Sequence, residues 1–218
     1  MIQRIYILLR KDLRLEFRSK TGLSSLLMYA LGSVFIIYMS VGEPEQSLTW
    51  NALFWITLLY SCVNSVMRAF YYETSSMRLY YYQIAHPQEI IFAKLLYSYA
   101  LNTLLLLVSF GAFTLVLGNL VQNMPLFVLV SLLSTWSIGA MLTLISAISA
   151  QTNNAAGILP VLAFPVLLPL FLSAIKATSA AIDGEAFAQQ WENIAVLGLF
   201  NILAWLFSYL LFPYLWRS

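Results

Sequence analysis

Six apolar stretches, approximately residues 23–41, 49–67, 95–117, 125–149, 156–175 and 194–213, follow one another along the chain, and none carries an Asp, Glu, Lys, Arg or His at its centre. A helix needs about 20 mostly apolar residues to cross a hydrocarbon core of about 30 Å. Each stretch is near that length, so the pattern predicts an all-α polytopic membrane protein with six transmembrane helices. The connectors are unequal. Residues 68–94 form the longest and most polar one and 176–193 the next, while the others are tight turns. No soluble domain is left over, and residues 1–218 read as a single transmembrane domain.

A different period precedes the first stretch. On a helical wheel Ile2, Ile5, Tyr6, Leu9, Leu13 and Phe17 share one face, and Arg4, Lys11, Arg14 and Arg18 share the opposite one. That spacing predicts an amphipathic helix within residues 1–22, lying in the membrane interface. The apolar run after it, about 19 residues, exceeds the ~7–15 of a secretory h-region, so it reads as a membrane span rather than a cleaved signal.

Composition agrees with the pattern: 61% of the 218 residues are apolar and only 9% are charged, too few charges to cover a water-soluble globule. Where the charges fall fixes an orientation. Of the 11 basic residues, Lys176 alone falls on one side, together with Glu43, Glu45, Asp183, Glu185 and Glu192. The rest lie in residues 1–22, in the 68–94 connector or at Arg217. Lys and Arg near helix ends resist translocation, which predicts that both termini are cytoplasmic. A net charge of +2 gives no extended nucleic-acid surface, and the single cysteine, Cys62, gives no internal disulfide.

Catalytic chemistry is sparse. His86 is the only histidine, so two histidines within one chain cannot hold a haem, and its place before Pro87 points to packing or interface contact. No mid-helix carboxylate or base offers the relay of an ion-coupled transporter. No glycine-rich phosphate loop is present, so any ATP is bound and hydrolysed by a partner. The chain is expected to be no enzyme and to bind no cofactor or metal itself.

Three segments remain as functional candidates, the first being the amphipathic helix of residues 1–22, which is either a simple membrane-surface anchor or, as in many exporters driven by a separate ATPase, an elbow along the inner interface that braces the bundle. The 68–94 connector is long enough for a coupling element outside the bilayer; it carries Glu73, a tyrosine-rich run with Tyr80, Tyr81 and Tyr82, and the His86-Pro87 step, where a turn is expected. Its tyrosines also suit an interfacial aromatic belt. In the fifth stretch Pro160, Pro165 and Pro169 each remove a backbone donor, which predicts a kinked helix packed inside the bundle, either as static packing or as the lining of a substrate path.

Six apolar helices, an amphipathic N-terminal segment, an acidic connector before the third helix and no ATPase resemble the ABC-2-like exporter permeases. More closely, the chain is similar to the cytochrome c maturation protein B (haem exporter protein B, CcmB) family. The connector of that family has an acidic residue, an amphipathic Leu- or Tyr-rich stretch, a proline and an Ala-Lys pair; here these are Glu73, Leu79-Tyr80-Tyr81-Tyr82, Pro87 and Ala93-Lys94. The proline-rich fifth helix matches as well. Many relatives carry Gly-Thr-Leu-Glu-Gln-Leu after the acidic residue, where this chain has Thr74-Ser75-Ser76-Met77-Arg78-Leu79.

The resemblance implies a permease subunit of the bacterial inner membrane that pairs with an ABC ATPase subunit, which holds the ATP. It also implies a haem-handling membrane protein as partner, and ATP-driven release of a haem-loaded chaperone. A homodimer is the expected assembly. A permease exporting lipid, polysaccharide or drug, and a non-transporting scaffold of a redox enzyme, are the alternative readings.

Overall fold

The computed structural model describes residues 2–18, 20–42, 46–71, 86–149 and 155–215. Within them lie seven α-helices and no strand: α1 (Ile2–Arg18), α2 (Lys20–Val41), α3 (Ser47–Tyr71), α4 (Pro87–Val116), α5 (Met124–Ser149), α6 (Ala155–Ile182) and α7 (Trp191–Leu215). A short 3-10 turn, Phe187–Gln189, precedes α7.

Helices α2 to α7 correspond to the six apolar stretches, and they run up and down between two ends. At one end Leu8 of α1 packs on Ile90, Ile91, Ala147 and Phe212, which brings the start of α4 together with the ends of α5 and α7. At the other end the α4–α5 loop is bound to the end of α6: the amides of Gln122 and Asn123 donate to the carbonyls of Ile182 and Ala181 at 3.3 and 2.9 Å. Glycines in left-handed conformation turn the chain there, Gly118 at φ 78° after α4 and Gly184 at φ 81° after α6. The Asn123 side chain then accepts from the Leu126 amide at 3.3 Å and starts α5.

Helix α5 is the axis of the bundle and touches α3, α4, α6 and α7. Its small residues allow this. At Gly139 a β-carbon would collide with the Asn102 amide nitrogen and would stand 2.6 Å from Ser98 Oγ, so α4 and α5 approach there as only glycine permits.

Five helices, all but α1 and α3, are long and apolar enough to cross a membrane. Helix α3 has the length, 25 residues, but less apolar character, because its polar residues point inward: Asn51, Thr57, Ser61 and Ser65 are buried, whereas Leu48, Ile56 and Tyr60 are exposed. An aromatic core fills the space between α3, α4 and α5. Phe54 stacks on Trp50 at 5.4 Å and meets Phe113 edge-on at 5.4 Å.

Two boundaries differ most from the sequence pattern. Helix α4 starts at Pro87 instead of residue 95, so Pro87 and Lys94 belong to a helix and not to a connector. Proline is at home in the first turn, where its missing N–H is not needed, and here it opens a helix. Helix α6 is 28 residues long, runs unbroken through its three prolines and takes in Lys176.

Candidate functional site

Thirty residues at ~1.5 Å each make α4 about 45 Å long, well beyond an ~30 Å hydrocarbon core. Its first two turns precede the apolar stretch that begins at residue 95, and they carry Glu89 and Lys94. Neither is solvated: Glu89 is 3% and Lys94 6% exposed, because α1 lies across them.

The two helices meet through charge. Lys94 Nζ lies 3.4 Å from Asp12, and Asp12 also pairs with Lys11 at 2.9 Å. One turn further along α1, Glu16 is buried and accepts a hydrogen bond from the Tyr97 hydroxyl at 2.9 Å. At the other end of the seam Glu89 accepts the backbone N–H of His86 at 3.1 Å and lies 3.8 Å from Arg4. Between these contacts Leu9 and Leu13 pack on Tyr97 and Leu101. The result is a seam of alternating charge and hydrocarbon that fixes α1 to α4. Buried pairs of this kind cost more to break than to leave whole, because removing one partner strands the other.

The face of α1 turned to the bundle is not the wholly apolar one drawn on the wheel. Leu9 and Leu13 do face inward, but Tyr6 and Phe17 are each 60% exposed, and the inward face carries Asp12 and Glu16. Neither acid stood out in the sequence, since each finds its partner some 80 residues away: Glu16 and Tyr97 are separated by 81 positions.

Of the residues expected to couple to an ATPase, Glu73, Leu79, Tyr80, Tyr81 and Tyr82 lie outside the described residues. Pro87 opens α4 beside the exposed His86, the residue that precedes the helix. Lys94 is buried and faces α1. Among the described residues no cluster of three or more His, Cys, Asp or Glu is placed to hold a metal ion.

Inside the bundle polar groups form two further networks, both neutral. Towards the end opposite α1, Trp55 Nε1 donates to Thr178 Oγ1 at 2.8 Å, Thr178 donates to Asn51 Oδ1 at 2.9 Å, and Asn51 Nδ2 donates to Ser179 Oγ and the Ile175 carbonyl, both at 3.0 Å. Nearer the middle Tyr99 donates to Asn201 Oδ1 at 2.6 Å and accepts from Trp205 Nε1 at 2.7 Å. Asn201 Nδ2 donates to Ser137 Oγ at 2.6 Å. These groups tie α3 to α6 and α4 to α5 and α7 by hydrogen bonds that an apolar surrounding does not replace.

The three prolines of α6 do not point into this chain's bundle. Pro160, Pro165 and Pro169 are all exposed, alongside Val161, Phe164, Leu168 and Leu172. The expected inward packing is not found within one chain; Leu159, Ala163, Leu167 and Leu170 occupy the inner face instead.

The family model for the CcmB protein matches residues 3–212, which span α1 through most of α7. The chain belongs to the CcmB family. None of the curated proteins matches it. Membership makes the chain a multi-pass integral membrane protein and a membrane component of haem export for cytochrome c maturation. CcmB proteins are transporter permease subunits rather than enzymes, and they belong to an ABC system, which implies an ATPase partner.

Proposed function

We propose that this chain is the six-pass permease through which ATP hydrolysis by a separate ATPase subunit drives haem handling, or release of a haem-loaded chaperone, at the bacterial inner membrane. Both termini are cytoplasmic in this reading, and α1 lies along the inner interface. The observation that carries it is the charged seam between α1 and the projecting turns of α4. A force applied by the ATPase at the cytoplasmic surface needs a stiff path into the membrane, and this seam joins a surface helix to a helix that runs the full length of the bundle. The packing of α3 supports six passes: it contacts α2, α4, α5 and α6, and its polar residues are covered. The 1–218 chain acts as one permease domain, with no cofactor of its own and ATP held by the partner.

In this reading the connector around Glu73, Leu79 and Tyr80 to Tyr82 meets the ATPase, Pro87 sets where the rigid part begins, and Lys94 works by holding α1. The exposed proline face supports a homodimer. Pro165 and Pro169 cannot donate to the carbonyls one turn earlier, at Val161 and Pro165, and in lipid those carbonyls need a partner or a wet cavity. A second copy set against α6 supplies either one, and the prolines then line the space between the copies. His86 helps start α4 and holds no haem.

Coexpression with the ATPase and the cytochrome c maturation machinery tests the coupling. Glu73→Ala and Pro87→Ala are expected to insert normally while ATPase retention or the yield of c-type cytochrome falls. Full retention and full yield in both would remove the connector from the coupling path. A reporter active only in the periplasm should give signal when fused after residue 45 or 185 and none after residue 80 or 218; the reverse would overturn the topology. His86→Ala should leave cytochrome yield unchanged.

A further inference from the structure

The charges of α1 are sorted between its two sides. Its acids, Asp12 and Glu16, are turned into the bundle, paired with Lys94 and Tyr97, whereas Arg10, Arg14 and Arg18 are exposed and have no acidic partner among the described residues. Lys11 pairs with Asp12 at 2.9 Å and also lines the groove described next. The three arginines follow one another at every fourth position, so they form one row along the helix. An open groove of about 320 Å³ runs along that row, edged by Tyr6, Ile7 and Leu15. Tyr6 and Phe17 are exposed on the edge beside Arg10, so an apolar strip adjoins the cationic row.

We propose that this groove binds the phosphate headgroups of anionic membrane lipids. A guanidinium holds two phosphate oxygens at once, a row of three holds several headgroups, and exposed Tyr and Phe rings beside them enter the acyl boundary of the same lipids. An acidic protein surface would pair with the arginines but would not account for the apolar strip alongside. Bound lipid then presses α1 against the bundle and stiffens the seam it makes with α4. The proposal deepens the interfacial reading of α1 and rests on it.

The test uses the full-length chain in lipid nanodiscs, with a fluorophore on Gln3→Cys, an exposed position of α1 that does not line the groove; the native Cys62 is fully buried and stays unlabelled. Quenching by spin-labelled phosphatidylcholine reports whether α1 lies at the interface at all, and the ratio of quenching by spin-labelled phosphatidylglycerol to phosphatidylcholine reports the proposed site. Each arginine near an anionic surface is worth about fivefold in affinity, so a ratio of at least about fivefold is expected. Replacing Arg10, Arg14 and Arg18 together by Gln should bring the ratio to about one while quenching by phosphatidylcholine persists; replacing them by Lys, which keeps the charge, should retain most of the ratio. Equal quenching by the two lipids in the unsubstituted row overturns the proposal and leaves the interfacial reading intact. Quenching by neither overturns both. An undiminished ratio in the Gln variant also overturns it. If the unsubstituted row shows no lipid preference and the Gln variant loses the ATPase, the groove is a protein contact instead.

Discussion

The seam between α1 and α4 and the network around Thr178 both join helices through polar groups, yet they are built from different chemistry. The first uses Asp12, Glu16, Glu89 and Lys94 at the end of the bundle that projects beyond the apolar span. The second uses Trp55, Asn51, Thr178 and Ser179, none of them charged, towards the opposite end of the bundle, where α3 starts and α6 ends. A charge at membrane depth costs several kcal/mol, whereas near the headgroups it can be paired and partly hydrated. Neutral groups suit contacts that stay closed, and charges suit a junction next to water that a partner can load. The difference separates a static brace from the coupling junction proposed above.

The largest expected effect comes from taking one charge out of the seam. Lys94→Ala leaves Asp12, whose side chain is 11% exposed, with only the half-exposed Lys11 to balance it, and loss of a buried partner costs about 3 kcal/mol. Proteolysis or cysteine labelling within α1 should become much faster, while α2 to α7 remain inserted. Replacing both partners, Asp12→Asn with Lys94→Met, should recover much of the loss, because no charge is then stranded. A double variant as damaged as the single one would mean that the charges themselves are needed.

Asn201→Leu breaks the neutral network in the middle. Tyr99 loses its acceptor and Ser137 a donor, for a cost of about 1–2 kcal/mol in thermal or denaturant unfolding in detergent. Accessibility of α1 should not change, which is the point of contrast with Lys94.

The long helices were legible because lipid imposes a length and a composition on them, and each predicted stretch matches one helix from α2 to α7. Their ends were less so. Glu89 and Lys94 lower the local hydropathy, which marks residue 95 as the start of a span; the helix nevertheless begins at Pro87, since helix formation does not require lipid and α1 covers both charges. The orientation of α1 was hidden for a related reason: its wheel places Asp12 between Leu8 and Ile5, but whether an acid there faces water or a lysine depends on a residue 82 positions away. The inward-turned polar side of α3 needed the same long-range information. The prolines of α6 were visible as a chemical problem, and the solution within one chain, an exposed face, was not.

Thr178→Val tests the far brace and should cost about 1 kcal/mol. The hydroxyl accepts from Trp55 and donates to Asn51, so both buried groups lose a partner, although Asn51 keeps Ser179 and the Ile175 carbonyl. Cytochrome c maturation should stay normal at permissive temperature if this contact only braces the bundle.

The smallest effect is expected at Arg4. It lies 3.8 Å from Glu89 but is 59% exposed, so the pair is screened by water and salt and is worth at most about 0.5 kcal/mol. Arg4→Gln also does not strand Glu89, which keeps the His86 amide at 3.1 Å. Little change in stability or in α1 accessibility should follow, and high salt should remove even that. The result sharpens the comparison within the seam itself. If Arg4→Gln releases α1 as fully as Lys94→Ala does, the charges act as one network in which the exposed member counts as much as the buried one; if it does not, the junction depends on Lys94 and Asp12, the pair that the packing of α1 on α4 withdraws from water.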